Sequence, residues 1–471
     1  MKFTSDIVIG LEIHIELDTN TKIFCSCPTK GSTEPNSRTC EVCLGHPGSK
    51  PVLNKKVVDY GIKVALALNS EIAPELVFSR KSYFYPDLAK NYQISQFELP
   101  LGTGGLMELD SGKKIGITRV HLEEDPASLV HKGGVTGSSY VLIDYNRSGN
   151  PLCEIVTEPD MTSPEEAREF MNKLITVLSY LGVFDQENGI IKADANISIK
   201  ESGYVRSEIK NITGFKEIER ALFYEVERQK QAAKSKEKFI MDTRSWDPDS
   251  GTTTRLRTKE TDVDYGYILD PDLVVTELTP EWVGAIKDEM PELAQDKVKK
   301  FIATHKIPEE DAKIIANERV LAELFEKVAE EIDPVLAAKW LRRELARVVN
   351  YNELDWKELL IDETHLIELL SLVEKKEITE NVAHKLMEKL VVEPFSPREY
   401  VEKEGLKVIS DSGKVEEICK KIVDANPKAV EEFKAGKEKA LNFLIGQVMR
   451  ETRGAASQQE VNDIIKKLIG S

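Results

Sequence analysis

The sequence predicts an α+β chain, an N-terminal domain on a largely antiparallel sheet followed by helical domains. Three features carry this: period-two alternation broken by Gly, Pro and Asn up to about residue 280, helical spacing beyond about Pro291, and a break at Glu393-Pro394-Phe395-Ser396-Pro397. In the first strand Ile7, Ile9, Leu11, Ile13, Ile15 and Leu17 alternate with Val8, Gly10, Glu12, His14 and Glu16, so an apolar face backs one carrying Glu12, His14 and Glu16. Lys55 to Leu68 reads as a helix, and Gly102-Thr-Gly-Gly105 as a hairpin turn. Ser163 as N-cap, Pro164 in the first turn and Glu166 three residues after the cap open a helix to Leu181. Alternation returns in Ile191 to Lys200, where Lys192, Asp194, Asn196 and Ser198 share a face, and in Val205 to Asn211, with Arg206, Glu208 and Lys210. A helix over Lys216 to Lys234 follows. Trp340, Leu341, Leu345 and Val348, then Leu366, Leu369, Leu370 and Val373, then Val382, Leu386 and Leu390 recur at helical spacing and read as core stripes. The predicted domains are 1–291, 292–396 and 397–471.

Length and charge exclude several classes. At 471 residues the chain exceeds the roughly 250–300 residues at which one hydrophobic core stops growing. Hydrophobic residues at 41% beside 31% charged leave enough apolar surface for real cores and exclude wholesale disorder. No stretch approaches the roughly 20 apolar residues of a membrane span, and acids arrive too early for a signal segment. A cytoplasmic protein with no membrane contact is expected. A net charge of −17 opposes a generic polyanion binder, so any RNA contact must be local. Residues 401–471 are nearly neutral, with 13 Lys+Arg against 12 Asp+Glu. Lys434, Lys437, Lys439, Arg450, Arg453, Lys466 and Lys467 gather there. They form either an RNA-facing surface or solvated helix faces.

Two constellations carry chemistry. Cys25-Ser-Cys27 and Cys40-Glu-Val-Cys43 are thiolate pairs that can close a four-sulfur tetrahedron around a structural Zn2+, with no open ligand position; a redox pair and unmetallated thiols are the competing readings. Cys153 and Cys419 read as ordinary reduced cysteines. The second constellation is acidic. Glu12 and His14, the run His121-Leu-Glu-Glu-Asp125, Glu154, Asp194 and Glu208 interrupt otherwise apolar strands. Each acid alone could be a surface ion pair, but crowded carboxylates call for a cation, and hard oxygens select Mg2+ or Mn2+. Arg80, Lys81, Arg119, Arg147, Arg206 and Lys210 are suited to phosphate oxygens. With no P-loop sequence, this points to phosphoryl transfer by an enzyme of another kind.

Several longer motifs, in this order, resemble one family: GLEIHIEL, the CxC…CxxCLGxPG segment, SRKSYFYPDLAKNYQISQ (79–96), RVHLEED (119–125), LIDYNRSGNPLCEIVTEPD (142–160), KADANISI, EIKN (208–211), DTRSWD (242–247) and GKEKALNFLIGQVMRETRG (436–454). The chain resembles the B subunits of the tRNA-dependent amidotransferases, GatB of the GatCAB complex, along essentially its whole length. The resemblance implies a cradle domain akin to glutamine synthetase and guanido kinases, a helical domain, and a YqeY-like tail that contacts tRNA. It implies ATP-dependent activation of the side-chain carboxylate of Glu-tRNA(Gln) or Asp-tRNA(Asn), then amidation with ammonia from the amidase subunit. GatA, GatC and tRNA are the implied partners, and ATP, Mg2+ and a structural Zn2+ the cofactors.

Carried over by motif, catalysis falls to Glu12, His14, Glu124 and Glu208, which with Glu154 and Asp194 would also hold Mg2+. Arg119, Arg147, Arg206 and Lys210 would meet the ATP phosphates. Lys81, Tyr83, Tyr85 and Lys90 would form the outlet or gate of the ammonia path, and Lys434, Lys437, Lys439, Arg450 and Arg453 would contact tRNA. The chain departs from the family pattern in RLRTKETDVDYGYILDPDL (255–273), which loses an Arg and a Phe between Asp264 and Asp270, in Lys192-Ala193-Asp194-Ala195-Asn196, which lacks the usual Arg, and at Thr213-Gly214. These departures bear on tRNA contacts more than on the metal site. A non-catalytic tRNA-presenting scaffold and the paralogue GatE, whose inserted domain a chain of 471 residues has little room for, are the alternatives.

Overall fold

A computed structural model describes residues 6–130, 140–185, 189, 191–258, 265–409 and 412–470. Residues 259–264 of the departing 255–273 segment, Asp264 included, lie outside these. The chain forms two compact units, residues 1–293 and 294–471.

The first unit is organised by a nine-stranded sheet. Its strands are β1 (Ile7–Glu16), β2 (Glu71–Ile72), β3 (Gly102–Glu108), β4 (Lys114–Glu124), β5 (Pro151–Thr157), β6 (Ile191–Ile199), β7 (Ser207–Thr213), β8 (Asp242–Asp247) and β9 (Thr252–Thr258). Their order is β9-β8-β7-β6-β1-β5-β4-β3-β2. Neighbours run antiparallel except β7 and β8, which are parallel. The expectation of a largely antiparallel sheet therefore holds. The Gly102–Gly105 run is not a hairpin turn but the start of β3. Gly105 is needed there because a Cβ would collide with the Leu68 carbonyl and the Ser70 side chain.

One face of the sheet is a core. Ile7, Ile9, Leu11, Ile13 and Ile15 are at most 2% exposed and join a cluster with helices α1 (Lys55–Ala67), α2 (Pro164–Leu181) and α3 (Phe215–Lys234). Period two then sends Glu12 and His14 to the opposite face. The α2 start follows the sequence: Ser163 Oγ accepts from the Glu166 amide at 3.2 Å, and Glu166 in turn accepts from the Thr162 amide at 2.7 Å. Among the described residues three small sheets lie outside the main one, and in the three-stranded one Ser79–Ser82 pairs with Tyr92–Ser95, whose Ser95 reaches Glu123 on the carboxylate face.

The second unit is helical. Trp340, Leu341, Leu345, Val348, Leu366, Leu369, Leu370, Val382, Leu386 and Leu390 are all buried, as their spacing predicts, whereas Val373 is only half-buried and Leu372 takes the buried position beside it. The helix Pro397–Glu404 buries Val401, and Ser396 Oγ donates to Glu368 at 2.7 Å, which anchors it to the preceding helices. Val415, Cys419, Leu444, Val448, Val461 and Ile465 form a further core among the last helices. No helix among the described residues is long and apolar enough to cross a membrane.

Candidate active site

Strand register assembles the polar face. His14 on β1 sits opposite Glu154 on β5, and Glu154 sits opposite His121 on β4. On the other side of β1, Glu12 pairs with Asp194 and His14 with Lys192, both on β6. Directly opposite residues point to one face, so the alternation of four strands converges on one patch.

The centre of that patch holds two imidazoles and two carboxylates. His14 Nε2 lies 3.3 Å from both Glu123 Oε1 and Glu154 Oε2. His121 Nε2 lies 3.1 Å from Glu154 Oε2 and 3.7 Å from Glu123 Oε2. Glu123 also accepts from Ser95 Oγ at 3.2 Å, and Arg119 approaches Glu154 Oε1 at 3.5 Å. Burial opposes charge on both histidines, yet the hydrogen bonds and charges of Glu123 and Glu154 outweigh it; His14 is held protonated well above the usual range and His121 up to about 9. Despite burial, the same pairings hold Glu123 down to about 2 and Glu154 well below the ordinary carboxylate range. Glu12 is raised, by burial and then by the nearby Glu154 charge.

The cluster borders a cavity of about 140 Å³ lined by Glu12, Lys81, Ser95, Phe97, Arg119 and Tyr267, among others. Lys81 lies over the Tyr265 ring at 4.9 Å, while Phe97 stacks on Tyr267 with centroids 3.9 Å apart. Glu208 and Asp194 flank the patch. Lys210 Nζ reaches Asp194 at 2.5 Å and Glu208 at 3.1 Å, and Thr243 Oγ1 donates to Glu208 at 3.0 Å.

Not every residue named from the sequence arrives here. Glu124 falls on the reverse side of β4 and is clasped by Lys90 at 2.5 and 2.6 Å, with the Ile94 amide donating to it at 2.8 Å. Its neighbour Glu123 occupies the position beside His14. The parity of β4 contains this: Arg119, His121 and Glu123 share one face and Val120, Leu122 and Glu124 the other. Arg147 braces a loop, through Asp125 at 3.1 Å and the carbonyls of Pro126 and Ala127, both at 3.0 Å. Arg206 is exposed, Arg80 pairs with Asp270 and Asp272, both at 2.9 Å, and Tyr83 meets Tyr265 edge-on at 5.9 Å. Tyr85 is exposed. Of the ammonia-path set, Lys81 alone lines the cavity. Lys434, Lys437, Lys439, Arg450 and Arg453 are exposed; Lys437 lies 3.6 Å from Glu432 and Arg453 3.3 Å from Glu404.

The donor sets suit metals. One oxygen or nitrogen each from Glu12, His14 and Glu154 lie within 4.8 Å of one another, as do those of His121, Glu123 and Glu154. Among the described residues His121 Nδ1 is buried without a hydrogen-bond partner, and Glu154 Oε1 makes no hydrogen bond beyond the 3.5 Å approach of Arg119. Cys25, Cys27, Cys40 and Cys43 likewise bring their sulfurs within 4.8 Å. Cys40 and Cys43 Sγ stand 4.0 Å apart, near the roughly 3.8 Å edge that 2.3 Å zinc–sulfur bonds impose.

Residues 7–284 match the GatB/GatE catalytic domain and residues 323–469 the GatB domain that follows it. The chain is 43% identical over 469 residues to the B subunit of the aspartyl/glutamyl-tRNA(Asn/Gln) amidotransferase of Carboxydothermus hydrogenoformans, covering 98% of each. It is 43% identical over 470 residues to the B subunit of the same name from Caldanaerobacter subterraneus subsp. tengcongensis and 42% over 474 residues to that of Thermotoga petrophila, again covering 98% of each chain. With its catalytic-domain match spanning the whole carboxylate-bearing sheet, this chain belongs to the GatB/GatE family.

Proposed function

We propose that this chain is the B subunit of a glutamine-dependent aminoacyl-tRNA amidotransferase, acting in the cytoplasm with an amidase subunit (GatA), a small subunit (GatC) and tRNA. Its reaction converts Glu-tRNA(Gln), Asp-tRNA(Asn) or both to the amide. The observation that carries this reading is the His14, His121, Glu123 and Glu154 cluster at the cavity, with Glu12 beside it. A scaffold that only presents tRNA has no use for buried charges gathered at an opening. The cradle analogy to glutamine synthetase and guanido kinases, and the division at 291/292 and 396/397, belong to the same proposal.

The chemistry explains the charges. A free carboxylate is a poor acyl donor because oxide would have to leave. One carboxylate oxygen of the substrate therefore attacks the γ-phosphorus of ATP, the bond to ADP breaks, and an acyl phosphate results. Ammonia nitrogen then attacks the acyl carbon, the bond to phosphate breaks, and a proton leaves the nitrogen. The carboxylates of Glu12, Glu123 and Glu154 suit Mg2+ or Mn2+ by donor type, His14 and His121 would join them once deprotonated, and a cation held there would supply positive charge to the phosphate oxygens. Arg119 and Lys210 offer fixed positive charge to the same oxygens. Lys81, on the cavity wall, would meet incoming ammonia, and Tyr83, which packs edge-on against the Tyr265 ring beneath Lys81, would act through that contact. Burial, opposed by the Glu123 and Glu154 charges, leaves Lys81 with a raised pKa and hence protonated. Lys81 therefore orients groups and does not accept a proton. The cysteine centre, holding Zn2+, would fix the 22–54 loop.

The test is an assay of the purified complex with ATP, glutamine and each mischarged tRNA. Glu154→Gln should abolish amide formation with tRNA binding intact. Full activity in that variant would return the chain to the scaffold reading.

A further inference from the structure

Lys22 is 0% exposed, yet it is a lysine. Its Nζ donates to the carbonyls of Arg38 at 2.9 Å and Tyr145 at 3.4 Å, and its third contact is Cys43 Sγ at 3.8 Å. Among the described residues no carboxylate lies within ion-pair distance of it. An ammonium so enclosed is costly unless an anion meets it, and carbonyl dipoles compensate only in part. Among the described residues the source of negative charge in contact with it is the Cys43 sulfur. Four thiolates around a divalent ion carry a net charge of about −2, a burden that a single adjacent cation halves.

We propose that Lys22 is the charge partner of a metal–thiolate centre at Cys25, Cys27, Cys40 and Cys43, and that it sets how tightly this centre retains Zn2+. The inference rests on the metal reading of the four cysteines given above. Lys22 is a positioning residue, since it touches a ligand and not the ion. It also links the centre to the strand that carries Glu154. The Tyr145 carbonyl it engages begins the 145–150 segment, where Ser148 Oγ donates to the Cys43 carbonyl at 3.2 Å and the Ile23 amide donates to the Gly149 carbonyl at 3.0 Å. Gly149 has φ +84°, and a Cβ there would stand 3.5 Å from Lys22 Cδ and 3.6 Å from Cys43 Cβ, so the lysine stem, the cysteine and this turn are packed together.

The experiment uses the full chain purified with its partner subunits. Zinc per chain is measured by elemental analysis, and the rate of zinc transfer to a chromophoric chelator is followed for wild type, Lys22→Met, Lys22→Gln and Lys22→Arg. Wild type should hold one zinc per chain, and loss of the charge should speed release by about tenfold or more, the usual scale of an outer-shell change. Arginine should stay near wild type. Glutamine retains N–H donors for the carbonyls, so it carries the test should the methionine variant fail to accumulate. Zinc release at the wild-type rate from Lys22→Gln, or faster release from Lys22→Arg than from Lys22→Met, overturns the role of Lys22 while leaving the metal centre standing. A wild-type chain without zinc, indistinguishable in metal content from Cys40→Ser, overturns the centre itself and the lysine's role with it.

Discussion

His14 and Glu154 face each other across neighbouring strands, and the imidazole Nε2 stands 3.3 Å from the carboxylate Oε2. Glu154 also holds His121 from the far side, at 3.1 Å. Two imidazoles and two buried carboxylates thus meet at one point of the sheet face.

The parity of β4 separates two adjacent glutamates into different jobs. Glu123→Gln removes the acid between His14 and His121 and should lower amide formation by about 100-fold or more, equivalent to about 2.7 kcal/mol or more of charge stabilisation. Rates for Glu123→Gln within a few-fold of wild type would contradict the cluster as the reaction centre.

Glu124 is predicted to matter first for stability. It is clasped by Lys90, the two side chains being 5% and 11% exposed. Lys90→Met strands a buried carboxylate and should cost about 3–5 kcal/mol, whereas Lys90→Met with Glu124→Leu should recover much of it. Thermal melts of the single and double variants decide this; equal losses in both would show that the pair is not the cause.

An acid-sensitive contact sits at the start of α2. Burial raises the Glu166 carboxyl, but hydrogen bonds from Lys113 and the Thr162 amide more than offset this and hold it below its ordinary value. A depressed carboxylate stabilises the fold above its unfolded pKa, near 4.5, and that stability is lost as pH falls through the folded value. Glu166→Gln should therefore cost about 0.5 kcal/mol at pH 7 after allowance for solvent screening, and the difference should shrink as pH falls below the unfolded value of 4.5. Melting temperatures of both proteins above and below that value test it, and a gap that widens in acid would refute it.

The basic residues of the tail should act through phosphate. Replacing Lys434, Lys437 and Lys439 with alanine should weaken tRNA binding and flatten its dependence on log salt by roughly 0.7–0.9 for each phosphate that is no longer neutralised. An unchanged slope would assign these lysines to solvated helix faces.

Chelation offers a check on the cysteine centre that does not depend on activity. Stripping the metal, or Cys43→Ser, should lower the melting temperature of the first unit, because structural zinc contributes folding energy directly. A melting temperature indifferent to chelator would leave the four thiols as a buried but metal-free set.

Period and composition alone determined the change from strands to helices, the runs of β1, β6 and β7, helices α1 to α3, the apolar face of β1 and the Glu12 and His14 face behind it. They also determined the four-cysteine set and, through long ordered motifs, the family. Local spacing suffices for these because side-chain direction repeats every two residues in a strand and every 3.6 in a helix. What the tertiary structure decided was which residues meet. The choice of Glu123 over Glu124 depended on the phase of β4 against β5, the loop-bracing role of Arg147 on a turn that folds back to Asp125, and the burial of Lys22 on contacts up to 123 residues away. Cross-strand register and long loops are set by the packing of the whole sheet on its helices, and no window of local sequence contains that information.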